Sequence, residues 1–357
     1  MSGDAGKGIT QDAIKPVRIG IVGAGANTRA KHIPGLQRLD GVTIVSVANR
    51  RRESAERVAS QFGIPAVYED WRDLVHAPDT DAIVIGTWPN LHGPVTLAAL
   101  AAGKHVLCEA RMAMNAAEAR AMWAEARRHP ELVAQVVPAP FTLRVDNTVQ
   151  RLLSEGYLGR LLAVDVRVTS GTFLDTDAPL HWRQDADLSG VNVMSLGIWY
   201  ESLMRWIGAA TNVQARGKVF VPARRDPLTG AAKAVHIPEH LVVTADMACG
   251  AQATFLLSQV TGGVNTCEVL LFGSEGTLRF ANDGLTGCRY DRAGFTEISI
   301  PPGEAGAWRV EEEFIGAIRG SERIARTTFE DGVRYMEFTE AVSRSMAEAR
   351  VVSVNSP

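Results

Sequence analysis

Cysteine is scarce: Cys108, Cys249, Cys267 and Cys288 are the only four in 357 residues, and no two form a CxxC pair. That spacing offers neither a disulfide framework nor a zinc site, so a reducing compartment, the cytoplasm, is expected. A basic surplus is also missing, since 37 Lys and Arg stand against 40 Asp and Glu and leave a net charge of -3. Nucleic acid is therefore not an expected partner. No apolar run reaches the roughly 18 residues that would span a bilayer, which removes a membrane from the expectations as well. Met1–Pro16 lacks the apolar segment of a secretory signal and reads as a polar, flexible tail. What remains is an ordinary apolar fraction of 46% and enough chain for two domains, each with its own core.

The most informative stretch is VRIGIVGAGANTRA, Val17 to Ala30. Val17 to Val22 reads as a buried strand, and Gly23, Ala24, Gly25, Ala26, Asn27 and Thr28 follow where a strand turns into a helix. Gly23 permits the tight turn and Gly25 lets backbone approach a pyrophosphate, whose charge the free amides and the positive helix end would meet. Thr28 stands where a third glycine or alanine is usual. By themselves two glycines describe an ordinary turn equally well.

Alternation downstream raises the odds of a dinucleotide site. The pattern gives a helix over Arg29–Leu39, a strand over Val42–Ala48, a helix over Glu53–Phe62, an extended piece near Val67 and a helix over Trp71–Val75. It continues as strand Ala82–Gly86, helix Leu91–Ala102, strand Lys104–Cys108, helix Asn115–Arg128 and strand Leu132–Val137. Such alternation predicts a doubly wound parallel sheet, a Rossmann α/β domain over 17–140, with ligand at the carboxyl ends of the strands. An α+β domain over 141–357 would follow. The second strand ends in Asn49, Arg50, Arg51 and Arg52, where an NAD enzyme would usually place a carboxylate for the ribose hydroxyls. Arginines at a helix start oppose the helix dipole, and the 2'-phosphate of NADP would answer them, so NADP is favoured over NAD. The alternative is a solvated basic patch balanced by Glu53 and Glu56.

With Thr87, Trp88, Pro89, Asn90 and His92 after the fourth strand and Glu109, Ala110 and Arg111 after the fifth, the stretches HIPGL, FGIP, DAIVIGTWPNLH, ALAAGKHVLCE and LLSEGYLG occur in order. They resemble the glucose-fructose oxidoreductase, inositol dehydrogenase and rhizopine catabolism family, Gfo/Idh/MocA. The resemblance implies a second domain with a large, mostly antiparallel sheet, and hydride transfer between NAD(P) and the carbinol carbon of a sugar or cyclitol. It also implies that Thr87, Pro89, Asn90 and His92 line the coenzyme and that Glu109 holds its nicotinamide side.

The family's chemistry is only partly present. Its Glu-Lys-Pro lysine is replaced by Ala110 and followed by Arg111, its aspartate and histidine fall on Ser195 and Trp199, and its substrate-side arginine falls on Phe141, with Arg144 three residues on. A base of this kind contributes about a hundred- to ten-thousand-fold. Candidate replacements are His181, beside the family's Trp182-Arg183 element, and Tyr200 next to Trp199, with packing roles as the plain alternative. Arg111 could clamp a substrate carboxylate or phosphate, or bind solvent or coenzyme phosphate. Asn192, Ser195, Trp199 and Ser202 form a polar stripe that is either a solvent face or, in the family frame, faces the nicotinamide. His236 and His240 have no third ligand in register, so no metal is expected.

Strands are predicted at Leu161–Thr169, Val213–Val221, Leu241–Ala248, Ala251–Ser258, Glu268–Phe272, Thr277–Phe280 and Glu297–Ile300, with helices at Val310–Arg319 and Phe329–Ala347. Several carry apolar residues on both faces, which predicts a homodimer or homotetramer through this sheet. The expected function is an NAD(P)-dependent oxidoreductase of a polyhydroxylated small molecule with an altered proton relay. Its alternatives are a silent nucleotide-binding protein and a lyase, epimerase or glycosidase that uses nicotinamide transiently.

Overall fold

The computed structural model describes residues 15–354 except 293, so most of the expected tail, residues 1–14, lies outside the described residues. Six parallel strands form the first sheet in the order β3-β2-β1-β4-β5-β6. They are β1 (Val17–Val22), β2 (Val42–Ala48), β3 (Ala66–Tyr68), β4 (Ala82–Ile85), β5 (His105–Cys108) and β6 (Ala134–Val136). β4 is fully buried and β1 nearly so, as strands covered by helices on both faces must be. The connecting helices are α1 (Ile33–Gln37), α2 (Arg52–Phe62), α3 (Trp71–His76), α4 (Pro89–Ala101) and α5 (Ala116–Arg128). A π-helical turn, Thr28–His32, precedes α1 where a single regular helix was predicted.

After α6 (Asp146–Ser154), β7 (Leu161–Thr169), α7 (Ala186–Ser189) and α8 (Leu196–Ile207), the chain builds most of a nine-stranded sheet. Its further strands are β8 (Ala210–Lys218), β11 (His240–Met247), β12 (Gln252–Ser258), β13 (Thr266–Gly273), β14 (Gly276–Ala281), β15 (Gly284–Arg289), β16 (Thr296–Glu297) and β17 (Val352–Ser353), while β9 (Ala223–Arg225) and β10 (Ala232–Ala234) pair as a separate hairpin. All its neighbour pairs are antiparallel except β7 with β12. Several expectations shift: the strand expected over Glu297–Ile300 is the short β16, and β9, β10 and β17 were not predicted. β8 starts at Ala210 rather than Val213, because Gly208 ends α8 in a conformation with φ +85° and the strand follows at once. β15 went unpredicted, since Gly284 and Gly287 hide its alternation; a Cβ on Gly287 would come within 2.5 Å of the Tyr157 hydroxyl.

The two halves share cores. α9 (Val310–Arg319) was expected within the second domain, yet Val310, Phe314 and Ile315 pack with Ile19, Ile33 and Leu36 of the first. α10 (Phe329–Glu348) begins in a capping box between Thr328 and Asp331 and lies against β8, α5 and α8. At its centre Phe338 stacks on Tyr200 at 3.6 Å and meets Phe255 of the sheet at 5.6 Å. Phe338→Ala is expected to lower stability by about 3–5 kcal/mol through the cavity it opens. The loss would be read as a fall in denaturant midpoint with an unchanged m value.

Candidate active site

The glycine turn is built by close packing. Gly23 has φ +86°, and a Cβ on it would come within 2.6 Å of the Thr87 amide. Thr28 fits the third small-residue position because Gly86 leaves room for it: a Cβ on Gly86 would collide with the Thr28 hydroxyl, which donates to Gly23 O at 3.3 Å. Asn49 braces the same turn, accepting from the Ala24 amide at 2.7 Å and donating to Ser54 Oγ at 3.1 Å. The amides of Gly25, Ala26 and Asn27 have no acceptor among the described residues, as expected of a helix start. A diphosphate would supply one.

The turn opens into a cavity of about 650 Å³ lined by Gly23, Gly25, Asn49, Arg50, Arg51, Thr87, Trp88 and Asn90, all expected, and by Ser54, Arg57 and Arg72, which were not. Arg52 is turned away, bonded to Glu56 at 2.8 Å and to Glu69. Arg50 lies over the Trp88 ring at 5.2 Å, and Trp88 stacks with Trp182 at 6.5 Å. Arg51 and Arg57 line the cavity and make no hydrogen bond or ion pair among the described residues. The two acids of this wall are engaged, Glu69 by Arg52 and Asp70 by the amide and guanidinium of Arg72. Asn90 Oδ1 is buried with no donor, beside Pro89 at the start of α4. Free amides, uncommitted guanidinium groups and an orphaned acceptor fit a nicotinamide dinucleotide.

Glu109 follows β5 and is the hub of a charged network. It accepts from Asn27 Nδ2, from the Ala110 amide at 3.2 Å and from His32 Nε2 at 3.0 Å. His32 Nδ1 reaches Glu311 at 2.5 Å, and Glu311 accepts from Trp308 Nε1 at 2.8 Å. Burial alone would lower the His32 pKa, but the two carboxylates overcome it and raise it to about 9. Burial likewise pushes Glu109 up, and the hydrogen bond and charge of His32 outweigh it, so its carboxyl is held below the ordinary range. His32 and Glu311 were not among the expected site residues; the HIPGL stretch was the signal for the first.

The remaining candidates separate. His92 is buried, with Nδ1 at 2.8 Å from Arg111 O and Nε2 at 3.1 Å from Thr87 O, so it ties the ends of β4 and β5 together. The Ala110–Arg111 peptide is cis. Arg111 runs its stem over Gly197 in the first turn of α8, with its guanidinium over Tyr335 at 5.8 Å. The Arg183 guanidinium carbon lies 4.1 Å from the centre of the Trp182 ring. His181 Nδ1 accepts the Arg183 amide at 3.2 Å, and burial and the Arg183 charge lower its pKa. Its Nδ1 is thus engaged by a backbone amide of its own loop.

Tyr200 is corrected outright: it is fully buried, its hydroxyl accepts the Ala210 amide at 2.9 Å, and burial raises its pKa to about 12. Trp199 is also buried and stacks on the exposed Phe141 at 5.1 Å. The polar stripe is broken, since α8 begins at Leu196 and leaves Asn192 outside it, bonded to Ala113 O and Ser189 O. Asn192, Trp199 and Ser202 are buried, so the stripe is not a solvent face. Among the described residues no group of three or more His, Cys, Asp or Glu side chains could hold a metal ion, and no helix is long and apolar enough to cross a membrane.

Residues 17–136 match the profile of the GFO/IDH/MocA oxidoreductase family with an NAD-binding Rossmann fold, and 147–279 match the GFO/IDH/MocA C-terminal domain. Glucose-fructose oxidoreductase domain-containing protein 2 of Xenopus laevis is 27% identical over 73% of this chain and 66% of its own length. Trans-1,2-dihydrobenzene-1,2-diol dehydrogenase of Oryctolagus cuniculus is 30% identical over 63% of this chain and 64% of its own. The chain thus spans about two thirds of the length of these relatives. Among solved structures, levoglucosan dehydrogenase in complex with NADH and L-sorbose superposes with a TM-score of 0.82 at 22% identity, over 95% of this chain and 98% of that one. Aldose-aldose oxidoreductase from Caulobacter crescentus complexed with glycerol gives 0.77 at 20%, over 95% of this chain and 100% of that one.

The raised pKa of His32 ties stability to pH. Its contribution is complete below the unfolded value near 6.5 and is lost as pH rises through about 9. Unfolding free energy is expected to fall by roughly 3 kcal/mol between those limits. Denaturant melts across that range would check it, and His32→Gln should flatten this part of the profile.

Proposed function

The chain belongs to the Gfo/Idh/MocA oxidoreductase family, and we propose that it moves hydride between NADP, in preference to NAD, and the carbinol carbon of a sugar, cyclitol or related polyhydroxylated small molecule. The observation that carries the coenzyme preference is the wall of the cavity beyond β2, where Arg50, Arg51 and Arg57 face the space and both neighbouring carboxylates are already neutralised. An anion placed there gains charge-assisted hydrogen bonds, whereas a ribose diol finds no carboxylate to accept from it.

Bound nicotinamide supplies the site that takes or gives hydride. The chain itself holds the diphosphate with the amides of Gly25, Ala26 and Asn27, offers Asn90 Oδ1 to a hydroxyl, and orients Glu109 at the nicotinamide end through His32. Ala110, Ser195 and Trp199 supply no base, so proton transfer follows a non-standard relay and turnover is slow, by the hundred- to ten-thousand-fold that a positioned base contributes, approximately. A second reading, a silent nucleotide-binding protein, is favoured by Trp199 and Phe141, whose stacked rings occupy positions where proton and substrate handling is otherwise expected. Reduction of NADP by any member of a sugar and cyclitol panel decides for the enzyme.

A further proposal concerns assembly. On the uncovered face of the large sheet, Val242, Leu256, Leu270 and Phe272 share one side by register, and a second copy of the chain would cover them.

The arginine wall is tested by titrating NADPH and NADH against Arg50→Ala/Arg51→Ala. Loss of about 1.5–3 kcal/mol per charged hydrogen bond corresponds to at least tenfold weaker NADPH binding. NADH binding should stay within a factor of about three, since it lacks the 2'-phosphate. Equal weakening of both coenzymes would refute the preference.

A further inference from the structure

Among the described residues Arg224 and the largely buried Arg205 are ion-paired, whereas the buried Arg111 is not. Arg205 contacts Asp146 at 3.2 Å and Glu201 at 3.3 Å. Arg224 contacts Glu239 at 3.6 Å and donates to the carbonyls of Phe173, Asp175 and Ala178. Arg111 is 9% exposed, yet its Nη1 is buried without an acceptor, and it has no ion pair among the described residues. An unpaired buried charge costs several kcal/mol, roughly, after relaxation. Within the protein that cost is offset only by the Tyr335 ring face and by the charges of Glu201 and Glu109, with no direct ion pair among the described residues.

The surroundings deepen the deficit of negative charge. Arg111 lies across Gly197 in the first turn of the twelve-residue helix α8, the helix end that favours anions, and α8 has no acidic residue in that turn. Ser195, the N-cap of α8, makes no capping hydrogen bond. Arg183 is close enough to Arg111 for their like charges to act on one another, and burial followed by that repulsion lowers its pKa to about 10. Arg183 contacts the Trp182 ring and makes no ion pair among the described residues. Two acids act on Arg111, Glu201 and Glu109, and only Glu109 also acts on Arg183. Glu109 is taken by Asn27, His32 and the Ala110 amide, while Glu201 bonds the Ala139 amide, Thr327 and Arg205 through Oε1 and makes no ion pair with Arg111.

From this convergence we infer that the substrate is acidic: a sugar or cyclitol bearing a carboxylate, such as a uronic or aldonic acid, whose carboxylate is held between Arg111, Arg183 and the amino-terminal turn of α8. Planar guanidinium groups suit a carboxylate, and the substrate restores the negative charge that the site lacks at Ser195. Phe141, exposed and backed by Trp199, offers an aromatic face for the sugar ring. The inference rests on the proposed oxidoreductase reading and narrows its substrate class.

The experiment uses the full chain with NADPH bound and follows quenching of the bound coenzyme's fluorescence. Matched pairs are titrated: glucuronate against glucose, galacturonate against galactose, gluconate against glucitol. At least one acid should bind tenfold or more tightly than its neutral partner. Arg183→Gln and Arg111→Gln should each remove that preference, and Arg111→Lys should restore part of it, while NADPH affinity, measured on the same samples, reports an intact fold. No acid exceeding its neutral partner, or a preference that survives Arg183→Gln, overturns the proposal. Parallel loss of NADPH affinity in both Gln variants also overturns it, because the arginines would then serve a coenzyme phosphate. Failure of the wild-type chain to bind either coenzyme would instead sink the oxidoreductase reading.

Discussion

A buried imidazolium between two carboxylates is the constraint on which the cleft depends. His32 has no solvent contact, so its charge persists only because Glu109 and Glu311 flank it. Those three groups come from the turn after β1, the end of β5 and the first turn of α9, and Trp308 closes the chain of bonds. One charge thereby fixes the direction of Glu109, the seat of the π-helical turn and the return of α9 to the first sheet. Gly35 is part of the same device, since a Cβ there would meet the Glu311 carboxyl at 2.8 Å.

Around that hub the cleft is electrostatically one-sided. Arginines stand at the coenzyme wall and again beside α8, whereas Glu69 and Glu109 are consumed by protein partners. The loop that carries Trp182 and Arg183 is itself pinned from below. Glu239 accepts from Gln184 at 2.8 Å and from two backbone amides, and Lys233 holds Asp185 at 2.8 Å. Positive charge in the cleft is thus carried on anchored segments, so it is available to a ligand without reorganisation.

Much of this was legible from local pattern. Buried strands, helix caps and the glycine turn obey rules that operate over a few residues, so the parallel sheet and the expected residues Gly23, Gly25, Arg50, Arg51, Thr87, Trp88 and Asn90 fall at one cavity. Roles set by distant neighbours were not legible. His92 was expected to line the coenzyme, but both its ring nitrogens are spent on the carbonyls of Thr87 and Arg111, five and nineteen residues away. Tyr200 follows Trp199 in sequence but points into α10, since adjacent helical residues diverge by about 100°.

The amino-acid sequence by itself determined the doubly wound sheet, the glycine turn and the strands of the second sheet, because periodicity and glycine placement are local properties, and its resemblance to the family marked positions 110, 195 and 199 as lacking the family's base. Only tertiary structure decided that His32 is charged, that His181 Nδ1 is engaged by a backbone amide, that α9 packs into the first core and that Arg111 has no ion pair among the described residues. Each of those outcomes depends on burial and on which groups from remote segments arrive within bonding distance, and one-dimensional order carries no measure of either.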